Sequence, residues 1–475
     1  MAESDLARAF DAVSECFLLP DVPVHLAGAV DAGRECVLLN QHVPVRLSFA
    51  EQIESLIIFG RKEEFIIPLA DVLYAKMTAV QTMEFASMSV PSCRQAGSAC
   101  CMPKARKTHR QLFTFTLKGD NVSRVCAAMN RHCFRDVTSV KALVVINPVA
   151  GKGSAKRDWE RDVRPLLVAS ERFEFESVFT THKGHAEEIG RDFCHGFLAV
   201  EGDAKVFLIV LGGDGIVYEL LNGIKAAAGD EKYLNLLAKT VIAPLPSGSG
   251  NGLCYSSLLA AKEAFTLNSA LLMLLRQRCL SKDLGLIDFD SGFEREQRLF
   301  ALTISWGLVA DVDINSEFLR RPLGDARFTA YGLMRVMKKP LYAGSITFGD
   351  NQVEIEPDYV TVYATLVPVA GRTVILNPSK ATNDGQLEIY RLRGRDISRI
   401  GLMRAMDELA LSRNHELRIN GFDPIRTSQF QLTPALHEIR SDSAGIVVDG
   451  EPLTTSAISV RILPAATNLI ALVHS

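Results

Sequence analysis

Two kinds of periodicity divide the chain. Before residue 135, apolar and polar residues alternate in short runs at 35–39, 43–49, 55–59, 64–69, 72–74 and 112–117, the pattern of strands with one buried face. Val122, Val125, Met129 and Phe134 then recur at roughly helical intervals. From residue 140 the rhythm changes. Strand-length runs at 142–146, 173–180, 206–211 and 241–245 are each followed by a polar turn and then by apolar residues at helical spacing. The run at 206–211 has no polar residue, which predicts a strand buried on both faces. Strands alternating with helices predict a parallel sheet. After residue 283 the pattern turns strand-rich, at 283–290, 299–304, 359–366, 386–392, 445–448 and 458–463.

Three domains follow: a β-rich one over 1–135, an α/β one over 138–283 and a second β domain over 284–475. Several antiparallel strands closed by one helix resemble a pleckstrin-homology barrel. Within it, 76–111 reads as a flexible insertion, because 86–102 is rich in Ser, Ala, Gly and Cys and 104–110 is basic. Cys100 and Cys101 beside that basic run offer an acylation site.

Composition narrows the class. With 52 Lys+Arg against 55 Asp+Glu, the chain lacks the basic excess of a nucleic-acid binder. Its ten cysteines include no C-x-x-C pair and stop at Cys279, so neither a zinc site nor a disulfide framework is expected. Residues 1–5 do not read as a signal peptide, and no apolar run reaches membrane-spanning length. The expected location is cytoplasmic.

The chemistry sits in the turns after the four α/β strands. All lie at the carboxyl edge of a parallel sheet, where ligands bind. Residues 212–215 are Gly-Gly-Asp-Gly: three glycines let backbone approach an anion, and the following helix supplies N–H groups to it. A carboxylate beside a phosphate is repulsive, so Asp214 needs a reason to be there, a metal or a proton to accept. Taken alone the tetrapeptide is also an ordinary tight turn. The turn at 147–154 is not a Walker A loop, and no G-x-G-x-x-G dinucleotide fingerprint occurs at either turn. Four such turns on one edge point to a polyphosphate site.

The ordered set N-P-x-x-G-K-G at 147–153, G-G-D-G-x-x-x-E at 212–219, P-x-G-S-G-N at 246–251 and D-G-E at 449–451 resembles the diacylglycerol kinase catalytic domain. The resemblance implies an α/β nucleotide-binding domain followed by an antiparallel β-sandwich, with ATP and Mg²⁺ as cofactors. It assigns nucleotide contacts to Asn147, Pro148, Val149, Gly151, Lys152, Gly153, Thr180, Thr181, His182, Lys183, Gly184, Gly212, Gly213, Gly215, Glu219 (on the ribose side), Gly248, Ser249, Gly250 and Asn251. Arg320 and Arg327 would clamp phosphates, and Asp449, Gly450 and Glu451 lie near them; which residue ligates metal is left open. Asp214 is the candidate general base.

The stretch 303–313 with its W-G-x-x-A-D-V-D core resembles the sphingosine kinases. Sphingosine carries an ammonium that ceramide and diacylglycerol lack, and in an apolar tunnel it needs a carboxylate. The resemblance gives that role to Asp313, with Asp311 as a supporting partner, and places Thr303, Ser305 and 212–215 at the lipid. Gly212, Ala150 and the pleckstrin-homology-like N-terminus instead match ceramide kinases, the alternative reading; a non-catalytic lipid-binding scaffold is another. The apolar cluster Phe328, Tyr331, Leu333, Met334, Val336 and Met337, followed by Lys338 and Lys339, predicts peripheral contact with anionic membranes. A homodimer is compatible with the chain.

Overall fold

The computed structural model describes residues 139–475 except 198–203, 230–231, 249, 293, 317–325, 350–351, 372–373, 405–423, 436–444, 454, 456 and 472–475, and before them the backbone of eight strands. The chain divides into two compact units. One comprises Met1–Ser139, Val163–Glu174 and Thr266–Gln277; the other holds Val140–Asp162, Phe175–Phe265 and Arg278–Ser475.

In the first unit, Val22–Leu26, Gln41–Ala50, Ser55–Phe59, Glu63–Pro68 and Ser92–Gln95 form a five-stranded sheet. Val72–Ala79, Thr82–Ser87 and Phe113–Lys118 form a three-stranded one. All pairings given for them are antiparallel. The segment 76–111 is therefore not a plain loop: Thr82–Ser87 pairs on both sides and Ser92–Gln95 pairs with Glu63–Pro68. The expected strand at 35–39, the helix around 122–134 and the Cys100–Cys101 pair lie outside the described residues.

The second unit is built on one sheet, fifteen-stranded among the described residues. Its first strands are β1 (Val140–Ile146), β2 (Phe173–Phe179), β3 (Val206–Gly212) and β4 (Thr240–Pro246), in spatial order β2-β1-β3-β4. β3 is parallel to both neighbours and buried along its whole length, as a run without polar residues requires. Strand order reverses between β1 and β3, so their carboxyl ends bound the topological switch point. Helix α1 (His185–Phe197) follows β2, and α2 (Asp214–Ala228) follows β3. They cross at glycines: a Cβ on Gly223 would lie 2.0 Å from the Glu187 carbonyl oxygen, and one on Gly190 2.5 Å from that of Leu220. Ile189 and Phe193 of α1 and Leu220 and Ile224 of α2 share a core with Leu208 and Val210.

Next come β5 (Cys279–Asp290), β6 (Arg295–Phe300), β7 (Thr303–Gly307), β8 (Tyr342–Phe348), β9 (Val353–Thr365), β10 (Leu387–Arg393), β11 (Gln429–Pro434), β12 (Ile446–Val448), β13 (Glu451–Leu453) and β14 (Ile458–Ile470). All these pair antiparallel with one another, over a core in which Trp306 meets Tyr342 and Tyr359 edge-on at 5.9 and 5.8 Å. The boundary expected at 283/284 is not a break in the sheet. β5 runs through it, and β14 pairs parallel with β4 at Asn468 and Leu469 while pairing antiparallel with β5 and β11. The single strand expected over 299–304 is two, β6 and β7, broken at Ala301–Leu302.

Candidate active site

Three glycine-rich turns meet at the carboxyl end of the parallel strands. The Asn147 N–H donates to the Leu211 carbonyl (2.9 Å) and the Thr180 N–H to that of Ile146 (2.9 Å), tying the turns after β1 and β2 to the sheet. Asn147 Oδ1 accepts from the Val149 N–H (3.2 Å), bending the chain past half-buried Pro148 into a short 3₁₀ turn, Ala150–Gly153. Gly151 has φ +58°, and a Cβ on it would lie 2.4 Å from the Ser247 carbonyl oxygen. A Cβ on Gly248 would lie 2.9 Å from the Gly213 backbone. Side chains at these positions would push the turns apart, so glycine is required by contact between backbones. Asn251 brackets the last turn, accepting from the Gly248 N–H (3.4 Å) and donating to its carbonyl (2.5 Å). Ser247 Oγ is buried with no hydrogen-bond partner among the described residues. The Lys152 side chain and Ser249 lie outside them.

Asp214 occupies the first turn of α2. Extended Gly213 (φ −92°, ψ 174°) precedes it, and its own N–H donates to Gly250 O at 3.2 Å. Its carboxylate accepts from the Gly252 (2.7 Å) and Leu253 (3.3 Å) N–H groups, the open first turn of α3 (Gly252–Ala260). Burial pushes its pKa up to about 7, against those two N–H donors, and Asp449 adds to the rise. A carboxyl group that titrates near neutrality is suited to take up a proton.

Glu219 lies on α2, after the 212–215 turn. Both its oxygens are taken by backbone: Gly184 N–H and Ala186 N–H donate to it at 3.2 Å each. Through them it holds the 181–184 turn at the start of α1. In that turn Thr181 and the stacked rings of His182 and His185 are linked through the Thr181 hydroxyl, and Lys183 forms a 2.7 Å ion pair with Glu451. A Cβ on Gly215 would lie 3.7 Å from Glu451 Oε1, so Glu451 flanks the 212–215 turn.

Asp449 and Gly450 both have positive φ (+48° and +86°), as the tight hairpin between β12 and β13 requires. Asp449 is turned inward, accepting from the N–H groups of Ala301 (2.7 Å), Leu302 (3.0 Å) and Thr303 (2.8 Å). This explains the break between β6 and β7: the backbone donors freed there bond a carboxylate instead of a strand. Burial raises the Asp449 pKa to about 6, while the three N–H donors and then Lys282 hold it down. Lys282 itself is fully buried, donating to Asp283 O at 2.7 Å, and burial lowers its pKa to about 7.

Thr303 and Ser305 lie on β7. Gly307 (φ +84°) turns the chain into α4 (Leu308–Asn315), which carries Asp311 and Asp313. Asp311 is buried and hydrogen-bonded by Arg335 and Tyr342. It anchors α4 to α5 (Ala326–Lys338). Asp313 is partly buried and within electrostatic range of Tyr363, which is near Asp449 and Asp214 as well. Sequence reasoning missed Tyr363. Arg320 lies outside the described residues; Arg327 falls in the first turn of α5, its side chain outside them.

Among the described residues no three His, Cys, Asp or Glu side chains are grouped to hold a metal. Asp214, Asp449 and Glu451 flank the turns, which fits Mg²⁺ carried on phosphates, an ion that usually takes one or two carboxylates and keeps its other contacts to phosphate and water. The Gly151–Ser247 and Gly213–Gly248 contacts, with the unsatisfied Ser247 hydroxyl, fit a phosphate cradle.

Residues 141–287 match the family model of the diacylglycerol kinase catalytic domain. Sphingosine kinase 1 of Arabidopsis thaliana is 25% identical over 410 residues, covering 77% of this chain and 80% of that protein. Sphingosine kinase 1 of Homo sapiens is 27% identical over 365 residues, covering 68% and 89%. A crystal structure of a diacylglycerol kinase from Bacillus anthracis shares the fold, with a TM-score of 0.50 at 19% identity over 70% of this chain and 97% of that one. Over 141–287 the chain thus resembles the diacylglycerol kinase catalytic domain, and over most of its length it is similar to sphingosine kinases, which supports a lipid kinase that transfers phosphate to an alcohol.

Proposed function

We propose that the chain phosphorylates the primary hydroxyl of a sphingoid base, with ATP as donor. The observation that carries this reading is the position of Asp214: a carboxyl group titrating near neutrality where three glycine turns meet, sharing the neighbourhood of Tyr363 with Asp313. The turn glycines present backbone N–H groups to the phosphates, and Asp214 takes the proton from the lipid hydroxyl as it attacks the γ-phosphate. Asp313 pairs with the lipid ammonium. Arg320 and Arg327 neutralise charge on the phosphates, for which their planar forks suit them. Asp449 or Glu451 would hold Mg²⁺, which when bound neutralises phosphate charge. The names of the relatives support a sphingoid base over ceramide.

The test is transfer of labelled phosphate from ATP to sphingosine, ceramide and diacylglycerol in mixed micelles. Sphingosine should take the label. Asp313→Asn should raise KM for sphingosine by about 10- to 100-fold with little change in kcat, the worth of one hydrogen bond to a charged group. Ceramide turnover indifferent to that change would overturn the reading.

Peripheral membrane contact is part of the proposal. Among the described residues no helix is long and apolar enough to cross a membrane. Leu333, Met334 and Met337 of α5 are 45, 46 and 66% exposed, whereas Val336 packs inward. Lys338 is exposed beside them; Lys339 instead donates to Gly394 O and Ile397 O at 2.7 Å each and is not free for headgroups. Leu333→Asp with Met334→Asp should weaken sedimentation with anionic vesicles by at least about tenfold, since two apolar side chains would no longer be buried. Its melting temperature should stay at the wild-type value. A lowered melting temperature with unchanged vesicle binding would mean that these side chains serve the fold.

A further inference from the structure

Tyr363 lies on β9 opposite Ser305 of β7 in the antiparallel register. Its chain neighbours Val362 and Ala364 are buried in the core with Ile304 and Trp306. The two-residue period of a strand therefore turns Tyr363, with Thr303 and Ser305, to the opposite face. There its hydroxyl is hydrogen-bonded to the Thr303 side chain, and Asp313, Asp449 and Asp214 are the carboxylates around it. Burial first, and then those carboxylates, keep the phenol protonated. A neutral O–H next to a strand hydroxyl and within electrostatic range of the candidate base and the candidate ammonium partner is a hydrogen-bond donor on the face of the sheet that carries Thr303 and Ser305.

A sphingoid head group carries three polar groups on consecutive carbons: the primary hydroxyl, the amine and a secondary hydroxyl. The reading above gives the first to Asp214 and the second to Asp313. The third must then lie beside the ammonium, and a hydroxyl taken out of water there without a partner would weaken binding. We propose that Tyr363 is a specificity residue that hydrogen-bonds the secondary hydroxyl of the lipid, next to the amine. The assignment rests on the sphingoid-base reading and deepens it. A phenylalanine would fill the same space, so the hydroxyl is the part that selects.

The experiment compares kcat/KM for a saturated sphingoid base with that for the same base lacking the secondary hydroxyl, in wild type and Tyr363→Phe. Wild type should prefer the hydroxylated base by about tenfold, the effect of one hydrogen bond. Tyr363→Phe should bring the ratio close to one, with the loss falling on the hydroxylated base. An unchanged ratio in the variant would overturn the assignment. So would a wild type that turns over both bases equally, a result that needs no variant to fold. Transfer to neither base would overturn the sphingoid-base reading as well, which separates the two failures.

Discussion

Asp214→Asn should lower kcat by about 10²–10⁴-fold, the usual worth of a positioned general base, while nucleotide affinity stays within a few-fold. An amide keeps one oxygen to accept from Gly252 or Leu253, so the start of α3 stays largely bonded. It cannot accept a proton at neutral pH. The same residue sets the pH profile. Its pKa of about 7 means that wild-type kcat/KM should rise as pH climbs toward 7 and level off above it, as the carboxyl group ionises. The variant should lose that limb. Retention of more than about a tenth of wild-type kcat would move the proton acceptor elsewhere. The stability linkage runs the other way. Because the folded pKa is raised, the folded state binds the proton more tightly than the unfolded one. Stability should therefore fall as pH rises from the ordinary carboxyl range toward 7. Asp449, raised to about 6, adds to the same trend.

Gly223→Ala should destabilise the protein by about 3 kcal/mol, at the upper end of ordinary overpacking. The added carbon would lie 2.0 Å from the Glu187 carbonyl oxygen and 3.1 Å from the Arg191 nitrogen. Both are backbone atoms of α1, and no rotamer change relieves the contact. The helices must separate, and they carry the site: α2 begins at Asp214 and α1 is bonded to Glu219 through Gly184 and Ala186. Activity should fall together with stability. Gly196→Ala is the matched control. It too lies in α1, with nothing within 4 Å of the added carbon, and it should be neutral or stabilising by about 0.5 kcal/mol. Chemical denaturation of the two variants checks both signs. Equal midpoints would mean that the helix crossing is not close-packed.

The parts legible in the sequence are those whose cause is local. A strand buried on both faces needs an apolar run, and 206–212 has one; the turn that follows needs glycine because another backbone touches it. The α/β-then-β order could be read the same way. What the sequence hid are partnerships across long separations. Nothing in the sequence shows that Glu219 accepts from the N–H groups of 184 and 186. Asp449 reads as a phosphate-side carboxylate, and its three N–H partners at 301–303 do not show in the sequence. Asp311 and Asp313, two residues apart on one helix, divide into a buried group bonded by Arg335 and Tyr342 and a partly exposed one. Tyr363 was concealed by its surroundings: in an apolar strand one aromatic residue reads as core, and only the pairing with Ser305 shows the face it takes.

The placement of β14 sets a schedule for biosynthesis. This strand completes the edge of the parallel sheet beside β4 and also joins β5 and β11, yet it is among the last segments described. On a translating ribosome the glycine turns and both crossing helices emerge long before the strand that covers β4. Until then β4 presents an unpaired apolar edge, the kind of surface on which nascent chains associate wrongly. Chaperone demand should therefore persist from the emergence of β4 until β14 has emerged, and nascent chains stalled before Ile458 should be captured by a holdase that ignores the finished protein.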